Sequence, residues 1–137
     1  MAQLDFTQWQ SCYSVGNWML NNQHKVLLGL CRQIIECVLD DGLVLGRFSI
    51  IRNDLLESVD EHFRTEENLL RNCAYPHLLR HTEEHLESRA GLTEFLMSAT
   101  NPDQIDKEAL GRFLAQWWFH HVLESDKKFV GAIHRVN

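Results

Sequence analysis

His62-Phe63-Arg64-Thr65-Glu66, followed fifteen residues later by His81-Thr82-Glu83-Glu84-His85, is the stretch whose reading decides the fold. Residues four apart on a helix sit one above the other on a single face. His62 with Glu66, and His81 with His85, are therefore two pairs of electron-pair donors, each able to close on one metal site. The face they occupy matters most. Upstream, Phe48, Ile51, Leu55 and Val59 form an apolar stripe at steps of three and four, and the stripe resumes at Leu69, Leu70 and Cys73. His62 and Glu66 lie on the stripe itself. Polar groups on a core-facing stripe are costly unless a partner satisfies them, and a metal ion is such a partner.

Working outward, a helical period runs from Trp18 through Leu20, His24, Leu27, Cys31, Ile34 or Ile35 and Val38, and ends at the turn-prone Asp40-Asp41-Gly42. His24 is thus a third polar residue on a core stripe. The helix carrying His62 is expected to start near Gly46 or Arg47 and to end about Asn72. Tyr75-Pro76 punctuates, because the residue before proline avoids the helical region while proline suits a first turn. A third helix carries Leu78, His81, His85, Leu92, Leu96 and Ala99 on one stripe. Thr100-Asn101-Pro102-Asp103 breaks it. A fourth periodic segment, from about Ile105 to Val136, carries Leu110, Leu114, Trp117, His121 and Phe129.

Four long helices with short connections give an all-α, up-down-up-down antiparallel four-helix bundle, since short loops force neighbours to run in opposite directions. Residues 1–17 keep no helical period and are expected to form an N-terminal arm, with Trp9, Tyr13 and Val15 packed across the bundle of residues 18–137. The 137 residues suit one domain with a single core, at 45% hydrophobic and 23% charged. A net charge of −6 without a Lys/Arg cluster argues against nucleic acid or an anionic membrane as partner. The first ten residues carry no apolar stretch behind positive charge, and no apolar run approaches the ~18 residues of a membrane span. The expectation is a cytoplasmic protein. Cys12, Cys31, Cys37 and Cys73 lack paired spacing and are expected to be reduced, buried and inert.

Histidines near the middle of four facing stripes converge on one volume. His24, His62, His81, His85 and His121 qualify, and Glu66 and Asp126 supply carboxylates. The five-residue step from His121 to Asp126 separates them by roughly 140° on a regular helix, so both cannot serve one side of one ion without distortion. A wider site holding two metals removes the difficulty, with Asp126 reaching in as a bridge and a π-bulge helping. Two bridging carboxylates, five imidazoles and one solvent-derived oxygen bridge bring one ion to six ligands and the other to five, leaving one open position. Imidazole and carboxylate donors suit iron. Spacing alone goes no further than a dinuclear site with a vacancy.

The chain resembles bacterial hemerythrins over nearly its whole length. The resemblance is carried by Trp9, Tyr13-Ser14-Val15-Gly16, Gln23-His24-Lys25, His62-Phe63-Arg64-Thr65-Glu66-Glu67, Tyr75-Pro76 followed by His81 and His85, and Trp117 with His120-His121 and Asp126-Lys127-Lys128-Phe129. It implies two non-haem iron ions with an oxo or hydroxo bridge that bind O₂ reversibly, small anions such as azide competing for the same place. His81, His85 and His121 would hold the filled iron, His24 and His62 the iron that receives O₂, and Glu66 and Asp126 would bridge. Leu27, Phe63, Trp117 and Trp118 are expected to line the ligand pocket. The sequence departs from the family twice: Asn21 stands three positions before the first ligand where an acidic residue is usual, and Trp118 stands where leucine is usual.

His77 also stands four residues before His81, but the spacing from Tyr75-Pro76 favours His81 with His85 as the ligands. His77, His120 and His134 are read as ordinary exposed or structural residues. Three functions compete: O₂ storage, delivery or scavenging without turnover; sensing of O₂ or redox state through an unidentified protein partner; and enzymatic reduction of peroxide or nitric oxide. Oxygen-activating di-iron enzymes usually have carboxylate-rich shells, so five imidazoles with two carboxylates rank binding first, sensing second and turnover third.

Overall fold

A computed structural model describes residues 2–39, 45–98 and 105–132. Four helices form the bundle: α1 (Trp18–Leu39), α2 (Leu45–Asn72), α3 (Leu78–Ser98) and α4 (Lys107–Trp118). The expected start of α1 and the expected bounds of α2 hold to within a residue or two. The expected fourth helix does not continue as one regular helix. It starts at Lys107, where the Asp106 carboxylate accepts the N–H groups of Glu108 and Ala109, and at Phe119 it widens into a π-helical turn. Asp40-Asp41-Gly42, Ala99 to Asp103, His134 and Val136 lie outside the described residues.

The arm packs across the bundle as expected, in two short 3₁₀ turns, Ala2–Thr7 and Ser11–Tyr13. Tyr13 is fully buried and donates its hydroxyl to the Phe6 carbonyl at 2.9 Å. Gly16, at φ 74°, turns the chain into α1, whose first turn is capped by the Asn17 side chain accepting from Leu20 N–H. Asn21 fixes the arm: its side-chain oxygen accepts from Val15 N–H and its amide donates to Ser14 Oγ. At this position the departure from the family's acidic residue serves the arm.

α2 closes with Tyr75 N–H bonded to the Leu70 carbonyl and Ala74 N–H to that of Arg71, a reciprocal pair that needs a left-handed residue at position 74. Ala74 adopts it at φ 54°. A Cβ disfavours this conformation, so Ala74→Gly is expected to stabilise the protein by about 1 kcal/mol, seen as a higher urea midpoint at unchanged slope.

Two apolar layers form along the bundle. The larger includes Leu27, Leu28, Cys31, Phe48, Leu55, Val59, Phe63, Leu92, Leu114, Trp117 and Trp118. The smaller holds Val15, Leu20, Leu70 and Phe129. The presumed ligands fall in sequence between these layers: His24 between Leu20 and Leu27, His62 and Glu66 between Val59 and Leu70, His81 and His85 between Leu78, which packs on the smaller layer, and Leu92, and His121 and Asp126 between Trp118 and Phe129. Cys31 and Cys37 are buried, as expected. Cys12 is exposed and Cys73 half-buried, because the arm's 3₁₀ turn and the end of α2 face outward there; none of the four forms a disulfide. Among the described residues no helix is long and apolar enough to cross a membrane.

Candidate metal centre

The polar layer gathers all seven presumed ligands. His24, His62, Glu66 and Asp126 are fully buried, and His81, His85 and His121 are at most 3% exposed. Their donor atoms fall into two groups that share both carboxylates: His24, His62, Glu66, His121 and Asp126, and Glu66, His81, His85 and Asp126. Glu66 spans them. Its Oε2 lies 2.7 Å from His62 Nε2, and its Oε1 lies 3.0 Å from His81 Nε2 and 2.9 Å from His85 Nε2. Asp126 Oδ2 stands 3.0 Å from His24 Nε2 and 3.4 Å from His121 Nε2.

Asp126 reaches this layer because residues 119–125 form a π-helical turn in which Asp126 N–H bonds to the His121 carbonyl five residues back. The wide turn brings residues five apart onto the same face. The distortion expected from the 140° conflict is therefore present where Asp126 requires it.

These spacings fit a metal shell. Two ligands about 2.1 Å from one ion and at right angles to each other stand about 3 Å apart, and the His24 Nε2 to His62 Nε2 distance is 3.0 Å. Glu66 Oε2, Asp126 Oδ1 and His121 Nε2 are buried without a hydrogen-bond partner, which leaves lone pairs directed into the layer. Electrostatics agree with this reading. Burial pushes the His24 imidazole down to about 3 and that of His121 well below its usual range, so both rings are neutral and keep a free electron pair. Burial and then the Glu66 charge hold Asp126 well above the usual carboxylate range. Burial would raise Glu66 too, but the His62 charge and several hydrogen bonds bring it well below. Two carboxylates this close cannot both be charged in a dry layer unless cations join them.

The outward nitrogens are held as well. His85 Nδ1–H donates to Glu67 Oε2 at 2.8 Å. His62 Nδ1–H donates to Gln23 Oε1 at 2.9 Å; the Gln23 amide donates to Thr65 Oγ, which donates to the Glu61 carbonyl. Each such bond fixes the tautomer that leaves Nε2 free for a metal. Sequence reasoning quoted Gln23 and Glu67 without giving them a task. The available signal was their position, each adjacent in sequence to a presumed ligand.

Of the expected pocket residues, Phe63 stacks on His85 at 3.9 Å and 2°, and lies 4.7 Å from His121. Trp117 stacks on His121 at 5.7 Å and donates its indole N–H to the Ser88 carbonyl. Trp118 is fully buried with its ring edge-on to His24 at 5.4 Å. Leu27, one turn beyond His24, is buried in the same apolar layer. His77 is exposed, and His120 pairs with Glu124 at the surface. One detail differs from the ligand division implied by resemblance. His121 Nε2 groups with His24 and His62, although its ring is equally close to His62 (5.5 Å) and His85 (5.6 Å), because it projects from the π-helical turn between the two pairs.

An all-α bundle that buries five imidazoles and two carboxylates between two apolar layers is a helical metal-binding domain. A family model described as the hemerythrin HHE cation binding domain matches residues 15–133, and the chain belongs to that family. It is 26% identical over 117 residues to a bacteriohemerythrin of Campylobacter jejuni, covering 85% of this chain and 87% of that one. It is 29% identical over 126 residues to a hemerythrin-like protein of Naegleria gruberi, covering 91% and 92%. A bacteriohemerythrin of Stenotrophomonas maltophilia is 25% identical over 132 residues, with 91% and 80% covered.

Proposed function

We propose that the chain binds O₂ reversibly, without turnover, at two non-haem iron ions joined by a solvent-derived oxo or hydroxo bridge and held by His24, His62, Glu66, His81, His85, His121 and Asp126. The observation that carries this reading is the pair of buried donor groups sharing Glu66 and Asp126. An iron pair held there would supply the two electrons that O₂ takes up on binding and returns on leaving.

The protein's own part is orientation and exclusion. Glu67 and Gln23 hold the His85 and His62 rings with Nε2 inward. The apolar layers keep bulk water from both sides. By the family's division His121 would join His81 and His85 and leave the open position to the ion of His24 and His62, beside Trp118; the donor atoms group it the other way, and its ring stands equally near both pairs. A shell rich in imidazole supports binding over turnover, since di-iron carboxylate sites in helical bundles use mainly glutamates. The direct test exposes anaerobically reduced, iron-loaded protein to air and then to vacuum. A visible ligand-to-iron absorption band that appears and disappears over repeated cycles is the expected result; a band that appears once and persists would overturn reversible binding.

The third-helix pair is tested separately. His77→Ala is expected to leave the visible spectrum of the oxidised protein unchanged, whereas His85→Ala abolishes it. The opposite pattern would move the site by one turn of α3.

A further inference from the structure

A file of aromatic rings runs from the protein surface to the metal layer and is not needed to hold metal. Trp9 is half-buried on the arm. Its ring meets Tyr13 edge-on at 5.9 Å, Tyr13 meets Trp118 at 5.2 Å, and Trp118 meets His24 at 5.4 Å. Each contact is near-perpendicular, the arrangement in which aromatic pairs pack closely. We propose that Trp9, Tyr13 and Trp118 carry single electrons from the protein surface to the His24 side of the iron pair. The proposal rests on the di-iron reading above.

Thiols apart, indole and phenol are the side chains most readily oxidised by one electron, and the surroundings decide where an oxidised ring can rest. Cys12, an exposed thiol next to Tyr13 in sequence, is replaced by serine in every protein used for the test below. Trp118 is fully buried beside the Tyr13 ring, and its N–H finds no hydrogen-bond partner among the described residues. It has no base to take its proton, so an electron lost there is replaced from further out. Tyr13 donates its hydroxyl to the Phe6 carbonyl, which is too weak a base to accept the proton outright. Trp9 differs, because water reaches it. The Lys25 ammonium sits 4.9 Å from the Trp9 ring centre and disfavours positive charge on the ring, so oxidised Trp9 releases its indole proton to water and ends as a neutral radical.

The route matters when the iron pair cannot supply enough electrons itself. Hydrogen peroxide takes up two electrons and two protons to become two waters. A fully reduced pair supplies both electrons and leaves the rings untouched. A pair holding only one ferrous ion supplies one, and Trp9 supplies the other through Tyr13 and Trp118, losing its proton to solvent.

The test treats iron-loaded protein, reduced by one electron per pair, with one equivalent of peroxide and a nitroso spin trap, then maps adducts by peptide mass spectrometry. Trp18 is an internal control: at 77% exposure it meets any freely diffusing oxidant before Trp9 does. The expected result is an adduct on Trp9 in excess of Trp18. It falls at least fivefold in Tyr13→Phe, which keeps a ring in place between Trp9 and Trp118 but is far harder to oxidise, while iron content and the visible spectrum stay unchanged. The fully reduced protein should give no Trp9 adduct. Iron-loaded protein that marks Trp18 first, or marks Trp9 equally in Tyr13→Phe, overturns the electron route and leaves the di-iron reading intact. Protein that binds no iron pair by elemental analysis overturns both.

Discussion

Glu66→Ala is expected to lower the iron content from close to two ions per chain to below one, the largest loss of any single substitution in the layer. Glu66 is the one side chain whose two oxygens stand within 3.0 Å of imidazoles from both donor groups, His62 on one side and His81 and His85 on the other. Its removal takes a ligand from each ion together, whereas His62→Ala takes one and should cost less iron. The same ions also hold the fold together. A ligand that binds only the folded state at a hundredfold excess over its Kd stabilises by about 2.7 kcal/mol. For a chain of this length that corresponds to about 10 °C in Tm, so removing iron should lower the midpoint by that order in the natural protein and hardly at all in Glu66→Ala. Elemental analysis with thermal melts in the presence and absence of chelator checks both. One zinc per chain, or full iron retention in both variants, would sink the di-iron assignment.

Most of the site was legible because its residues break a rule. His24, His62, Glu66, His81, His85 and His121 stand at apolar-stripe positions, and a buried polar group at such a position needs a partner. Regular helices carry that inference directly from spacing to space. The reading thinned where the helix stops being regular. Residues 119–125 form a π-turn, and the sequence supplied only the reason for one, the need of His121 and Asp126 to share a face. Their conflict on a 3.6-residue helix was visible, but the bond from Asp126 N–H to the His121 carbonyl was not.

Side chains that touch ligands from outside were less legible still. Gln23 and Glu67 have polar neighbours in sequence and lie off the stripe, so nothing in the pattern separates them from a solvated helix face. Their task appears only when α2 brings His62 against Gln23 of α1, and α3 brings His85 against Glu67. Asn21 shows the same limit in reverse. Resemblance drew attention to it only as a departure from the family's acidic residue, and its hydrogen bonds go to Ser14 and Val15 of the arm. The arm itself has no period to read, because its 3₁₀ turns are too short to show one.

Trp118→Leu is expected to speed azide binding to the oxidised protein about tenfold, a barrier lower by about 1.4 kcal/mol, with iron content unchanged. The indole is fully buried and fills the space between Tyr13 of the arm and the His24 ring, on the side where the open iron position is assigned. Leucine is smaller and more flexible, and a packed layer closes only partly around such a change, so a void should remain beside His24. Azide is charged and must shed water to pass an apolar layer, which makes its entry sensitive to that void. O₂ is small and uncharged, so its entry should change less. Water and protons that enter through the same opening should shorten the time over which air-exposed, reduced protein keeps its reversible O₂ response. Stopped-flow azide binding and repeated air and vacuum cycles measure the two halves independently. If neither rate moves by more than about twofold, a barrier change of about 0.4 kcal/mol, Trp118 fills space beside His24 without controlling the approach to it.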